Sequence, residues 1–393
     1  MRRVGRGCVE AGDGFNEGMD EIGLTVRLAA VEAWFAGNFR ERGELGAAVS
    51  VWHRGREVLS LAGGTMDREG RQPWTVETLV PVWSCTKGIA AWAGVAALRG
   101  AGVGLERSVA DVWPDFEQAG KGELTFRQLL AHTGGLAVLD EKVSILDHAA
   151  VVGALERQLP MADLGRVQGY HARTFGFLLD EIVRRVTGAE SLGRYFETLR
   201  EPLGAEFWLG LPEQEMGRVA TLYPGRMTEA LKQEPFMRAF QTPGSVTLRA
   251  FQSPVGLNAV ADFNRPETWR AGFPSMGGVG SARGLGRLYA ALAEGGWPEL
   301  EATVSDAEDV VLCQPMAFSA GMMKDAVDAA TGRKRRRLFG PALRAFGHPG
   351  AGGSLAFADP ENGLAFAYVM NQMELGVLPG ERALGLVRAL YGE

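Results

Sequence analysis

The tetrad Ser84-Cys85-Thr86-Lys87 places a hydroxyl and an amine three residues apart. On a helix, positions three apart share a face, so the amine can reach the hydroxyl. A serine hydroxyl becomes a useful nucleophile only when a neighbouring base takes its proton, and a desolvated lysine can be that base. A serine at a helix N-terminus also meets partial positive charge, which favours a developing oxyanion. The pair alone is a weak signal, because an N-capping serine beside a solvated lysine has the same spacing. Two features weigh against that blander reading. Of 41 basic residues only six are lysines, and arginine cannot give up its proton. The flanks Pro81-Val82-Trp83 and Gly88-Ile89-Ala90-Ala91 read as a packed helix, which would keep the amine out of water.

The elements that must position this pair follow from the hydrophobic period. Helical spacing of Leu24, Leu28, Val31, Trp34 and Phe35 predicts a helix over 24–39. Strands are expected over 47–52 and 58–62 around the turn His53-Arg54-Gly55-Arg56, and over 354–358 and 364–370 around Asp359-Pro360-Glu361-Asn362-Gly363. Between the hairpins the pattern is helical, at 86–99, 126–131, 149–158, 175–187, 192–199 and 282–293, and a last helix covers 381–390. Hairpins at both ends with helices between predict an α+β fold: one antiparallel sheet built from both termini, flanking helices, and a mostly helical insertion. The expected division is a disordered tail over 1–18, a sheet domain from 19–83 and 275–393, and a helical domain over 84–274, with the active site at their interface.

Other classes are disfavoured. A formal charge of -6 argues against general attraction to nucleic acid or anionic membrane. Cys8, Cys85 and Cys313 form neither a disulfide framework nor a metal clip, and fit a reducing compartment. His53, His132, His148, His171 and His348 never form HxH or HExxH, so a zinc hydrolase is a poor reading and no metal is expected. The basic start Met1-Arg2-Arg3 is not followed by an apolar h-region, and the apolar run 88–98 is too short to span a bilayer. A cytoplasmic protein is expected. The run Arg333-Lys334-Arg335-Arg336-Arg337 reads as a solvated loop. No G-x-S-x-G is present for a nucleophile elbow.

Several ordered segments, from about Met19 to the C-terminus, resemble the serine β-lactamase and penicillin-recognising superfamily. Val82-Trp83-Ser84-Cys85-Thr86-Lys87-Gly88 is similar to its first box, and Leu129-Leu130-Ala131-His132-Thr133-Gly134-Gly135-Leu136 to its LLxHxxGL segment. Gly169-Tyr170-His171-Ala172-Arg173 resembles the second box in the form found in family VIII carboxylesterases, which are class C β-lactamase-like. Phe346-Gly347-His348-Pro349-Gly350-Ala351 resembles the third box, with H-x-G where the lactamases carry K-T-G.

The resemblance implies a β-lactamase/transpeptidase-like fold and an acyl-enzyme on Ser84, with Lys87 and Tyr170 together as base. Holding a phenolate at neutral pH means lowering its pKa by ~3 units, or about 4 kcal/mol, part of which a lysine ammonium can supply. It further implies an oxyanion hole from the backbone N–H groups of Ser84 and Ala351, and substrate contacts from Trp83, His348 and Gly350. No cofactor is implied.

Two departures bear on the substrate. Tyr170-His171-Ala172 lacks the amide of the lactamases' Y-x-N, and His348 replaces a fixed positive charge that would pair with a substrate carboxylate. Both favour small, uncharged, short-acyl esters. A β-lactamase or D-alanyl peptidase is the alternative, and a non-catalytic binding protein on the same fold is another. The segment Met161-Ala162-Asp163-Leu164 departs from the family's W-x-P-G and leaves acyl-chain preference open. The oligomeric state has no signature in the sequence.

Overall fold

The computed structural model describes residues 21–393; the expected tail over 1–18, with Cys8, lies outside the described residues. Among the latter are eleven strands: β1 Gly46–His53, β2 Arg56–Gly64, β3 Val80–Pro81, β4 Phe207–Trp208, β5 Val279–Gly280, β6 Ser305–Asp309, β7 Gln314–Phe318, β8 Met323–Lys324, β9 Phe346–Pro349, β10 Leu355–Asp359 and β11 Leu364–Met370. Eight form one antiparallel sheet in the order β2-β1-β11-β10-β9-β8-β7-β6. The two ends of the chain meet where Ala47 pairs with Met370 and His53 with Leu364. Both expected hairpins are present, and the first turns through positive φ at Arg54 and Gly55, the twist a two-residue hairpin needs.

Helices cover both faces of the sheet. We label α1 Glu21–Glu41, α2 Cys85–Gly100, α3 Thr174–Thr187, α4 Ala282–Ala293 and α5 Glu381–Tyr391. Helix α4 lies on the face of Ser50 and Trp52, where Gly286 lets it come close. Gly63, paired with Ala47, faces Phe35 and Phe39 of α1, so α1 is on the opposite face. Helix α5 packs against α1 there, with Gly385 beneath the Trp34 ring. Strands covered on both faces become continuously apolar, as in Leu364-Ala365-Phe366-Ala367-Tyr368-Val369-Met370, every residue of which is buried.

Strands β6 to β9 were not expected from the sequence. Edge strand β6 reads Ser305-Asp306-Ala307-Glu308-Asp309, whose charges hide the strand from pattern reading and also discourage edge-to-edge pairing. The basic run differs from expectation too. Lys334 turns inward to a buried ion pair with Asp325 (2.9 Å) instead of facing solvent, because Asp325 is itself buried as acceptor for the Leu338 and Phe339 N–H groups.

Helix α2 is the centre of the molecule. Thirteen of its residues are buried, an all-round apolar pattern that marks a core helix. Gly94 admits Leu179 of α3, and Gly88 admits the Tyr289 hydroxyl of α4 and the His348 Cβ of β9. The N-terminus of α2 therefore lies where the sheet, α3 and α4 converge. Among the described residues no helix is long and apolar enough to cross a membrane, and no cluster of three His, Cys, Asp or Glu is placed to hold a metal.

Candidate active site

The turn into α2 sets up Ser84. Strand β3 joins the small sheet β3-β5-β4, and Val82 N–H donates to Gly278 O (3.0 Å) just beyond it. Trp83 then takes φ +50, a left-handed conformation that costs a non-glycine residue about 1–3 kcal/mol. Its ring is held against Phe263 with centroids 3.8 Å apart, and Thr86 Oγ1 donates to Trp83 O while accepting from Gly278 N–H (2.9 Å). Ser84 follows in helical conformation and its side chain makes no capping hydrogen bond. The N-cap explanation for this serine is thereby removed.

Lys87 is fully buried. Its Nζ lies 2.8 Å from Ala172 O, 2.8 Å from Ser275 O and 3.2 Å from Ser84 Oγ. Burial, with the Arg173 guanidinium adding to it, holds its pKa well below the ordinary lysine value. A neutral amine has two N–H bonds and one lone pair. With Ala172 O and Ser275 O on two N–H groups, the third position on Nζ is the one nearest the Ser84 hydroxyl, and deprotonation of the amine would leave its lone pair there.

The Tyr170 ring stands 4.9 Å from Lys87 Nζ, and its phenol has the Ser84 side chain as hydrogen-bonding neighbour. Burial raises the phenol's pKa above its usual value, and the Asp309 carboxylate adds to the rise. Burial thus acts on both groups against a phenolate–ammonium pair. Both shifts point the same way, toward the neutral amine and the neutral phenol.

Asp309, which the sequence analysis did not single out, fixes Tyr170 from behind. Its Oδ1 accepts from the N–H groups of Tyr170 (3.1 Å), Val311 (3.0 Å) and Leu312 (2.9 Å). Burial pushes this carboxyl up to about 6, against the pull of those donors. Ser275 was also missed: besides holding Lys87, its Oγ donates to Arg173 O and accepts from Gly176 N–H, each at 2.6 Å. One acid among 47, and a serine outside any recognised box, carry no signal of their own.

The neighbouring histidines brace the second box. His171 Nε2 accepts from Leu136 N–H (3.0 Å), and His132 Nδ1 accepts from His171 N–H (3.2 Å).

The third box approaches Ser84 through a missing side chain. A Cβ on Gly350 would sit 2.1 Å from Val82 O, and Cys85 Sγ donates to His348 O (3.1 Å). This contact sets Ala351 beside the turn into α2. Neither Ser84 N–H nor Ala351 N–H donates to a backbone carbonyl among the described residues, so both are free to meet an oxyanion. Gly350→Ala is expected to lower stability by about 1–3 kcal/mol in urea melts. Turnover should fall at least about tenfold as the two donors lose alignment; an unaffected rate would mean that they do not depend on this approach.

Ser84, Tyr170, Trp83, His348 and Ala351 line one cavity of about 240 Å³; Gly350 is not on its wall and Lys87 lies behind it. Much of the remaining lining is apolar, with Phe236, Met237, Phe240, Phe251 and Leu257. The cavity's one arginine, Arg173, has Nη1 and Nη2 occupied by Pro254 O, Gly256 O, Leu257 O and Asn258 Oδ1. Burial beside Lys87 holds His348 neutral, its pKa down to about 3. The arrangement brings a hydroxyl, a buried amine, a phenol and two N–H groups without a backbone partner to one space with no uncommitted cation among the described residues.

A sheet closed by both termini, a central helix bearing S-x-x-K, and a tyrosine and an H-x-G strand at its mouth define a penicillin-recognising serine-enzyme fold. The beta-lactamase family profile matches residues 31–389, and the chain belongs to that family. It is similar to the esterase/beta-lactamase LipL of Mycobacterium tuberculosis, 30% identical over 394 residues, which span 93% of this chain and 86% of the relative. A family VIII carboxylesterase of known structure aligns with TM-score 0.82 and 32% identity, over 93% of this chain and 97% of that one. A penicillin-binding protein homologue from Caulobacter crescentus aligns with TM-score 0.78 and 34% identity, over the same two shares.

Proposed function

We propose that the protein is a serine carboxylesterase that hydrolyses small, short-acyl esters through an acyl-enzyme on Ser84. The observation that carries this reading is the buried Lys87 amine, 3.2 Å from Ser84 Oγ with two carbonyls on its N–H groups. Lys87 takes the hydroxyl proton as Oγ attacks the ester carbonyl. The oxyanion is received by the N–H groups of Ser84 and Ala351, each such donor worth about 3 kcal/mol to the transition state. Collapse expels the alkoxide, which takes its proton from Tyr170, and Lys87 returns one to the phenol. Water then repeats the sequence on the acyl-enzyme.

Ester is favoured over lactam or peptide because those substrates bring a carboxylate, and among the described residues the cavity has no free cation to pair with it. The names of the similar proteins, an esterase/beta-lactamase and a carboxylesterase, support the same choice. The first of these names also favours weak lactam hydrolysis as a side reaction. The test compares p-nitrophenyl butyrate with nitrocefin and follows fluorophosphonate labelling by peptide mass. Ester turnover well above nitrocefin turnover, abolished in step with labelling of Ser84, is the expected result. Faster nitrocefin turnover would make the protein a lactamase, and an unlabelled Ser84 would leave a binding protein.

A further inference from the structure

The catalytic cavity has a neighbour. A second cavity of about 450 Å³ shares five lining residues with it: Phe236, Leu312, Leu375, Gly376 and Val377. A side chain that borders both spaces stands between them, and of these five Phe236 carries the largest. It is 8% exposed and held by other rings. Phe240 stacks on it with centroids 5.8 Å apart, and Phe251 meets it edge-on at 5.5 Å. Both of these rings line the catalytic cavity and not the second one, and Phe251 lies 6.5 Å from the Tyr170 ring. Beyond Phe236 the second cavity continues with Leu231, Pro235, Leu378 and Pro379. Glu234 and Arg336 also border it, so its lining carries no net charge. A neutral space lined largely by apolar groups gains from an alkyl chain that leaves water.

We infer that the Phe236 ring is the stop that sets how long an alkyl chain an ester can carry at Ser84. The inference rests on the acyl-serine reading. A chain extending from Ser84 past Phe251 meets the Phe236 ring and is confined to the catalytic cavity's volume of about 240 Å³. Each methylene buried on the way adds about fourfold to kcat/KM, the worth of its transfer out of water. The gain ends where the ring begins, and a longer chain must turn back into solvent. Phe236 takes no part in bond making, since its link to Tyr170 runs through Phe251. Phe236→Ala deletes the six ring carbons and joins the two cavities, so that a chain continues toward Leu231 and Leu378.

The test is the ratio of kcat/KM for p-nitrophenyl octanoate to that for p-nitrophenyl butyrate. Each ratio is taken within one preparation, so the folded fraction cancels. A matched pair, octyl and butyl butyrate followed by acid release, reads the alcohol side of the ester. Phe236→Ala is expected to raise the ratio in at least one series by about 10²-fold, four methylenes at about fourfold each. A shift confined to one series assigns the chain to the acyl or to the alcohol side. Phe236→Leu should raise the ratio less, and Phe236→Trp should lower it. These two variants, opposite in size, read the same partition if truncation to alanine unfolds the protein. Leu231→Trp, which adds bulk to the second cavity alone, should cancel most of the Phe236→Ala gain when the two are combined. Unchanged ratios in both series, or a gain that Leu231→Trp does not touch, overturn the role of Phe236 and leave the acyl-serine reading standing. Wild-type enzyme that never becomes acylated on Ser84 overturns both together.

Discussion

Ser84→Ala is expected to lower kcat/KM for p-nitrophenyl butyrate by about 10⁴-fold or more, equivalent to about 5 kcal/mol or more of transition-state stabilisation. The remaining N–H donors can still polarise the ester, but no covalent route survives. The same substitution should barely change stability. The Ser84 side chain makes no capping bond to α2, so its loss strands no backbone donor. Thermal melts within about 0.5 kcal/mol of wild type would pair with the loss of activity. A variant retaining a tenth of the activity would move the chemistry to another group.

Lys87→Met should cost about 10³–10⁴-fold, the range of a positioned general base. Lys87→Arg should be as inactive, since a guanidinium keeps its proton. In the wild type the rate should rise with pH as Lys87 deprotonates, and burial places that limb below the ordinary lysine range. The limb should vanish in Lys87→Met. Stability provides an independent check. Because the folded state binds the lysine proton less tightly than the unfolded chain, the unfolded state holds more protons between the depressed pKa and ~10.4. Wild-type stability relative to Lys87→Met must therefore increase with pH across that window. An Arg variant with a tenth of wild-type activity, or an unchanged acid limb in Lys87→Met, would rule out the amine as base.

The helices at 86–99, 175–187 and 282–293 and both terminal hairpins could be read from the sequence because each is written locally, in a period or a turn. The same holds for Ser84 and Lys87, whose separation is one helical step. Strands β6 to β9 could not be read that way: they are short, partly charged, and stable only through their neighbours. Asp309 is the sharpest case. It looks like any surface acid, yet it is buried and accepts three N–H groups behind Tyr170.

Residue types and spacing, then, singled out an alcohol and an amine, and the family resemblance added a phenol and the expectation that the three meet. Only the folded chain decided in which direction the amine and the phenol are shifted. Charge state depends on what surrounds a group, and the carbonyls of Ala172 and Ser275, the Asp309 carboxylate and the exclusion of water come from segments far apart in sequence. The tertiary structure likewise decided which way each lone pair points, because direction is set by partners that packing alone brings within bonding distance.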